Sequence, residues 1–321
     1  MTNKVEISHK TIFFIILFLL SIWLVIQIRD ILLLLFVAFI LMSALSPTVD
    51  RLEKLHIPRA IAILIIYIIG IFIIGVIGTL VVPPLVTQSA RLVMKLPDFI
   101  NTIVPSSHLN LDNIIQQIIP IGEGVVKLSV GIFSNFITII SFLVFTFYFL
   151  LERKKLERDL VEFVGTEAGE RIFLIISQVE TKLGAWVRGE LALMTIVGVA
   201  CYIGLSILRI DYALPLAIFA GFLEVVPIIG PIVSAIRAVL VAFGTSSGLA
   251  IVVVALYTLI QQLENNLIVP TVMKKAVGLS PLITILALMI GGRLAGVVGA
   301  LISVPIIVVL QIILKDILKY K

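Results

Sequence analysis

Long apolar runs free of any charge alternate with short polar joints along this chain. The charge-free runs cover residues 11–28, 31–49, 60–90, 128–151, 191–208, 238–263 and 294–314. Each is long enough, or nearly so, to cross a hydrocarbon core of about 30 Å as a helix. Open backbone in lipid has no water to pair with, so such runs are read as helices. The pattern predicts an all-α, polytopic integral membrane protein. The first run lacks a small-residue cleavage site and a second span follows at once, so it reads as a retained helix.

The polar joints set the expected topology. Lys4 and Lys10 place the N-terminus in the cytoplasm, and the basic joint of Arg51, Lys54 and Arg59 returns to the same side. Residues 1–82 are therefore N-terminal transmembrane helices, with Pro83-Pro84 expected to end the last of them. Residues 83–129 are amphipathic and interrupted by Pro97, Pro105 and Pro120, which predicts short helices on the outer surface. Residues 130–151 come back across the membrane and end in Glu152-Arg153-Lys154-Lys155, an inside signal. In residues 152–190, Ile172, Ile175, Ile176, Val179, Leu183 and Trp186 recur at helical spacing and predict an amphipathic helix at the inner surface.

The pattern changes in residues 191–321. After 191–208 crosses outward, residues 212–243 are too long for one untilted span and too short for two. Pro227-Ile228-Ile229-Gly230-Pro231 breaks them at the centre, and two prolines and a glycine in five residues do not continue a helix. Two half-helices in a re-entrant hairpin entering from outside fit this segment. Residues 250–269 cross inward and end near Lys274 and Lys275. Residues 280–314 repeat the break, with Gly291-Gly292-Arg293 at the midpoint and Pro305 beyond. Lys315, Lys319 and Lys321 hold the C-terminus inside, so this hairpin would enter from the cytoplasm. The units 191–244 and 247–314 thus form an inverted repeat, each a span plus a broken hairpin. A shift of 66 residues aligns Pro215 with Pro281, Leu216 with Leu282, Gly230 with Gly296 and Ile236 with Ile302. Secondary transporters build midplane binding sites from such discontinuous repeats.

Composition agrees and removes other classes. Of 321 residues, 60% are apolar and 13% charged, with a mean hydropathy of +1.23. A soluble domain carries about 25% charged residues. The net charge of +5 sits between spans, where it orients them and does not suggest nucleic acid. A single cysteine, Cys201, excludes a disulfide framework and reads as packing. No phosphate-binding G-x-x-x-x-G-K-[ST] loop occurs. His9, His56 and His108 stand alone without H-E-x-x-H, so neither a metal site nor a cofactor is expected. Nothing resembles a nucleophile–base set, and an intramembrane enzyme is the least supported class.

Polar residues at membrane depth are the functional candidates, because lipid penalises them by a few kcal/mol. Glu224 lies three residues before the Pro-Ile-Ile-Gly-Pro turn and reads either as a proton or cation carrier or as a structural partner of Arg237 or Arg293. Gln261, Gln262, Glu264, Asn265 and Asn266 form the densest polar cluster, with Gln261, Glu264 and Asn265 at spacings that share a helical face. They either line the substrate path or solvate the cytoplasmic end of the span. At Pro227, Gly230 and Pro231, unpaired backbone groups at the turn could bind ions or polar solutes. Gly291, Gly292, Gly296 and Gly299 fit close helix contact better than binding. A carrier for a small polar solute or a cation exchanged for protons leads; a passive channel is the alternative.

Residues 184–314 resemble the autoinducer-2 exporter family of prokaryotic membrane proteins. The likeness rests on Trp186-Val187-Arg188-Gly189-Glu190, Pro227-Ile228-Ile229-Gly230-Pro231, and Gln261-Gln262-Leu263-Glu264-Asn265-Asn266 with Pro270. Val277-Gly278-Leu279-Ser280-Pro281-Leu282, Gly291-Gly292, Gly299-Ala300 and Val304-Pro305 complete it. The resemblance implies a multi-spanning inner-membrane carrier, with export of a signalling molecule or exchange of sodium or lithium for protons. It also implies a homo-oligomer, a pentamer in the family, moving in an elevator-like way. This chain departs from the family at Glu190, where glutamine is common, and at Arg237, where proline is. Arg237 either bears on substrate choice or snorkels to an interface, and with Arg293 it counts among the candidate binding residues.

Overall fold

The computed structural model describes residues 9–103, 136–226, 229–273 and 280–319, and these are helical almost throughout. In chain order the helices are α1 (His9–Gln27), α2 (Arg29–Lys54), α3 (Arg59–Ile103), α4 (Phe136–Glu152), α5 (Leu156–Val164), α6 (Thr166–Ile207), α7 (Ala213–Leu223), α8 (Ile229–Phe243), α9 (Ser247–Leu263), α10 (Val269–Met273) and α11 (Pro281–Lys319). A 3₁₀ turn, Arg153–Lys155, joins α4 to α5, and a π-helical turn, Glu264–Ile268, joins α9 to α10. Among the described residues, 6 helices are long and apolar enough to cross a membrane. The molecule wears its apolar side chains outward: Phe72 on α3 is 70% exposed, and none of the apolar stretch of α1 is buried. A surface of this kind needs lipid as its solvent.

Two helices are longer than the sequence pattern suggests. α3 does not stop at Pro83-Pro84; it runs for 45 residues to Ile103. Each proline removes one backbone bond, and the helix continues past both. Of the short surface helices expected over residues 83–129, the part from 104 on lies outside the described residues. α6 likewise passes the expected joint at residue 190 without a break and extends 42 residues, about 63 Å at 1.5 Å per residue. Nothing near Trp186-Val187-Arg188-Gly189-Glu190 breaks a helix, so the inner-surface helix and the span are one rod.

α6 is the axis of the packing. One core cluster gathers Cys201 and Leu205 of α6, Leu216, Ala217 and Ala220 of α7, Ala238 and Ala242 of α8, and Val253 of α9. A second joins Met42 and Val49 of α2 with Ala62 and Ile63 of α3 and Leu150 of α4. A third ties Ile40 of α2 and Val308 of α11 to Val179 and Leu183 of α6. Small residues let the backbones approach: a Cβ at Gly221 would meet Gly198 Cα at 3.2 Å.

The α2–α6 crossing shows why one motif has the residues it has. Pro47 lies inside α2 and brings no N–H to the Ser43 carbonyl one turn back. Arg188 Nη1 of α6 donates to that carbonyl at 3.4 Å and to Ala44 O at 3.3 Å. Gly184, one turn before Arg188, packs its backbone against the same Ser43 oxygen, where a Cβ would collide.

Two segments fold back on themselves. α7 and α8 have 11 and 15 residues, about 16 and 22 Å, each short of the ~30 Å core. α11 is two arms: Ala295 and Gly296 leave helical geometry, Gly296 at φ 60° and ψ −142°. Gly291 and Gly299 face each other backbone to backbone, and a Cβ on either would strike the other's carbonyl. Residues eight apart in a straight helix would lie about 12 Å apart. The chain therefore reverses between them. Gly230 and Gly296, which the 66-residue shift aligns, both sit at their reversals.

Candidate functional site

The site forms where α7 ends. The Glu224 N–H bonds the carbonyls of Ala220 (3.2 Å) and Gly221 (3.3 Å), and the Val226 N–H bonds Leu223 O (3.0 Å). The chain then turns, and Gly230, the second residue of α8, sets its Cα against the Leu223 carbonyl, where a Cβ would collide. Only glycine fits there. Pro227 and Ile228 lie outside the described residues. Pro231 O accepts the Ser234 hydroxyl at 2.9 Å.

Three buried acids from three elements lie near enough to this turn to act on one another. Glu190 of α6 is 7% exposed, Glu224 is 4% and Glu264 is 5%, so water reaches none of them freely. The Glu224 and Glu264 carboxyl groups are within hydrogen-bonding reach, and the Glu190 charge acts on Glu224. Glu264 acts on Glu190 in turn. Gln261 Nε2 donates to Glu264 Oε2 at 3.0 Å. Glu224 Oε2 is buried with no hydrogen-bond partner. Two carboxyl groups bond each other only when one carries the proton.

The other candidates fall in different places. The neighbours acting on Glu224 are acidic, and neither arginine is among them. Arg237 of α8 instead lies over the Phe219 ring of α7, 5.0 Å from its centroid, joining the two arms of the hairpin. Arg293 is exposed, just before the reversal of α11. The polar cluster divides. Gln261 and Glu264 turn inward, while Gln262, Asn265 and Asn266 are exposed, and Asn266 Nδ2 donates to Gln262 O (2.9 Å) and Oε1 (3.0 Å). The π-helical turn beginning at Glu264 shifts the register, so the α-helical spacing that would place Asn265 beside Gln261 does not hold there. Such turns recur at functional sites.

Sequence reasoning passed over Glu190 as a site residue. Its signal was an acid at the mouth of a charge-free run. Gly189 beside it lets Met273 of α10 lean on α6, with Met273 Sδ at 2.9 Å from the place of a Cβ. Within Trp186-Val187-Arg188-Gly189-Glu190, then, Arg188 serves α2, Gly189 admits α10 and Glu190 enters the acid cluster. Among the described residues, no group of three His, Cys, Asp or Glu side chains is placed to hold a metal ion.

Fold and site together define a multi-span helical membrane protein with a buried acidic site at a helix turn. The family profile of AI-2E family transporters matches residues 12–319, and the chain belongs to that family. It is 27% identical over 307 residues to "Putative transport protein YueF" of Bacillus subtilis, covering 88% of this chain and 83% of the relative. "Putative transport protein MT0215" of Mycobacterium tuberculosis is 30% identical over 287 residues, 84% of this chain and 78% of the relative. "Putative permease PerM" of Escherichia coli K12 is 26% identical over 302 residues, 87% and 85%. The family is one of transporters and permeases, not of enzymes.

Proposed function

We propose that this membrane transporter is a secondary carrier whose path runs past Glu190, Glu224 and Glu264, with proton movement at the Glu224–Glu264 pair coupled to the solute. The solute is a small polar metabolite, such as a signalling molecule, moved outward, or a cation such as sodium exchanged for protons. The observation that carries this reading is the Glu224 carboxyl, buried at a helix turn, beside Glu264 and with one oxygen unpartnered. A carboxyl kept there for packing alone would be an expensive choice.

The same reading makes α7–α8 and α11 re-entrant hairpins of an inverted repeat. Their short arms and their aligned glycines at the reversals support it. The carrier works in the plasma membrane of a prokaryote with both termini in the cytoplasm, as the lysine and arginine pattern supports. Assembly into a homo-oligomer and elevator-like movement complete the proposal. Gln261 positions Glu264, and the exposed Gln262, Asn265 and Asn266 line the cytoplasmic mouth.

The test is flux in sealed proteoliposomes under an imposed proton gradient, with internal pH read while sodium, lithium or labelled metabolites are added outside. Solute-dependent proton movement should occur in the wild type and be lost in Glu224→Gln and Glu264→Gln. If labelled metabolites equilibrate with no proton movement under any condition, the protein is an uncoupled facilitator or channel and the carrier reading is wrong.

A further inference from the structure

Two turns before Glu264 on α9, the Tyr257 hydroxyl is buried without a hydrogen-bond partner. The residue is 8% exposed, and its ring lies in the core cluster among Val197, Leu205, Ala220, Val253 and Ile260. Buried tyrosines ordinarily find an acceptor or a donor for the hydroxyl. Here the polar side chain beside it is the Cys201 thiol, a weak partner. A phenylalanine would fill the same apolar space with no unsatisfied atom, so packing does not account for the oxygen.

The placement of this pair relative to the acids is regular. Tyr257 and Glu264 are seven residues apart on α9, and Cys201 and Glu190 eleven apart on α6. Both spacings are near whole turns, so each pair shares one face of its helix. Those faces meet around Glu224, and the charges of Glu224 and Glu264 both reach Cys201. The polar groups therefore form a ladder: Glu190 and Glu264 at one end, Glu224 beside them, then Cys201 and Tyr257 farther along α6 and α9.

We propose that the Tyr257 hydroxyl is the next polar station of the translocation path. It donates a hydrogen bond to an oxygen acceptor of the solute, or of a water carried with it, beyond the Glu224–Glu264 pair. The path then extends about 10 Å along α9 past the acids, at 1.5 Å per residue. This rests on the carrier reading and adds to it a residue that contacts the transported species.

Water access tests it without knowledge of the solute. In the full chain reconstituted into liposomes, on a Cys201→Ala background, single variants Glu224→Cys, Tyr257→Cys and Val253→Cys are treated with a small water-soluble methanethiosulfonate reagent. Glu224→Cys and Tyr257→Cys should be labelled, and Val253→Cys, fully buried one turn farther along, should not. Labelling at Glu224→Cys but not at Tyr257→Cys would end the path at the acids and overturn this inference while leaving the carrier reading intact. Labelling at neither would overturn both.

Tyr257→Phe supplies a readout that does not depend on a new thiol. It should melt no lower than the wild type, and sodium-driven proton flux should fall about tenfold, the effect of one hydrogen bond of ordinary strength. Wild-type flux in Tyr257→Phe, with Glu224→Gln inactive, would make the hydroxyl a tolerated orphan and sink the proposal.

Discussion

Pro47 brings no N–H to the Ser43 carbonyl, and the Arg188 guanidinium of α6 supplies the missing donor. Arg188→Ala should therefore lower the melting temperature in detergent, by a few degrees for a loss of about 1 kcal/mol. Pro47→Ala restores an N–H within α2 and makes that donor redundant. The double variant should lose less stability than the two single losses summed, as expected of two residues serving one acceptor. Additive losses would mean that Arg188 acts elsewhere. Glu224 invites the opposite sign. Replacing a buried acid that has one oxygen unpartnered and only acids acting on it with its neutral isostere removes repulsion and desolvation together. Glu224→Gln should melt above the wild type by about 1 kcal/mol or more while transport fails, the trade expected of a residue kept for function. A destabilised Glu224→Gln would show that the carboxylate is structural.

At the scale of elements, the two reversals decide what the second half of the chain is. Taken by length and composition alone, residues 282–318 pass for one long span. The Gly291–Gly299 contact makes them a hairpin instead. A Cβ on Gly292 would stand 4.0 Å from the Ala300 Cβ, within disulfide geometry. The paired substitution Gly292→Cys and Ala300→Cys, on a Cys201→Ala background, should form an intramolecular disulfide under mild oxidation. A continuous helix would hold those residues about 12 Å apart and leave both thiols free. Apolar runs of the wrong length, interrupted by Pro-Ile-Ile-Gly-Pro and Gly-Gly-Arg, pointed to a break in each segment. The second falls at Ala295–Gly296, past the expected Gly291-Gly292-Arg293, which stays helical. The continuity of α3 and α6 was not legible in the sequence. Proline reads as a stop whether or not the helix continues past it, and a rise in charge density marks a membrane surface without ending a helix. Within the site, Glu224 stood out by its place just before the Pro-Ile-Ile-Gly-Pro turn, and Glu264 by the polar cluster at a span end. Glu190 had a local signal, an acid at the mouth of a charge-free run, but its nearness to the other two comes from the α6–α7 crossing, a contact between distant positions that no local pattern carries. Asn265 left the inward face because a π turn changes the register after Glu264.

At the scale of the molecule, the charged residues sort into two groups with different work. The acids at the α7–α8 turn are buried and lack cationic partners among the groups acting on them. At the joint between α2 and α3 and at the end of α4, several charges are paired. Arg59 Nη1 donates to Asp50 (2.7 Å) and Glu53 (2.8 Å), and its Nε to Leu150 O (2.7 Å). Lys154 reaches Glu53 at 2.6 Å, and Arg153 Nε reaches Glu180 at 2.8 Å. These contacts bolt α4 to the α2–α3 joint and to the long axis helix, away from the hairpin. Glu180 is only 8% exposed, so Arg153→Ala would strand a buried carboxylate. Breaking a buried pair from one side costs about 3–5 kcal/mol, and partial exposure of Arg153 places this one toward the lower figure. Arg153→Ala should thus lose stability steeply, yet the protein that remains folded should exchange protons with the same solute dependence per molecule. Glu224→Gln should do the reverse. If Arg153→Ala altered the ratio of protons to solute, these ion pairs would be part of the transport cycle. The division between a frame that bears stability and a hairpin that bears transport would then have to be abandoned.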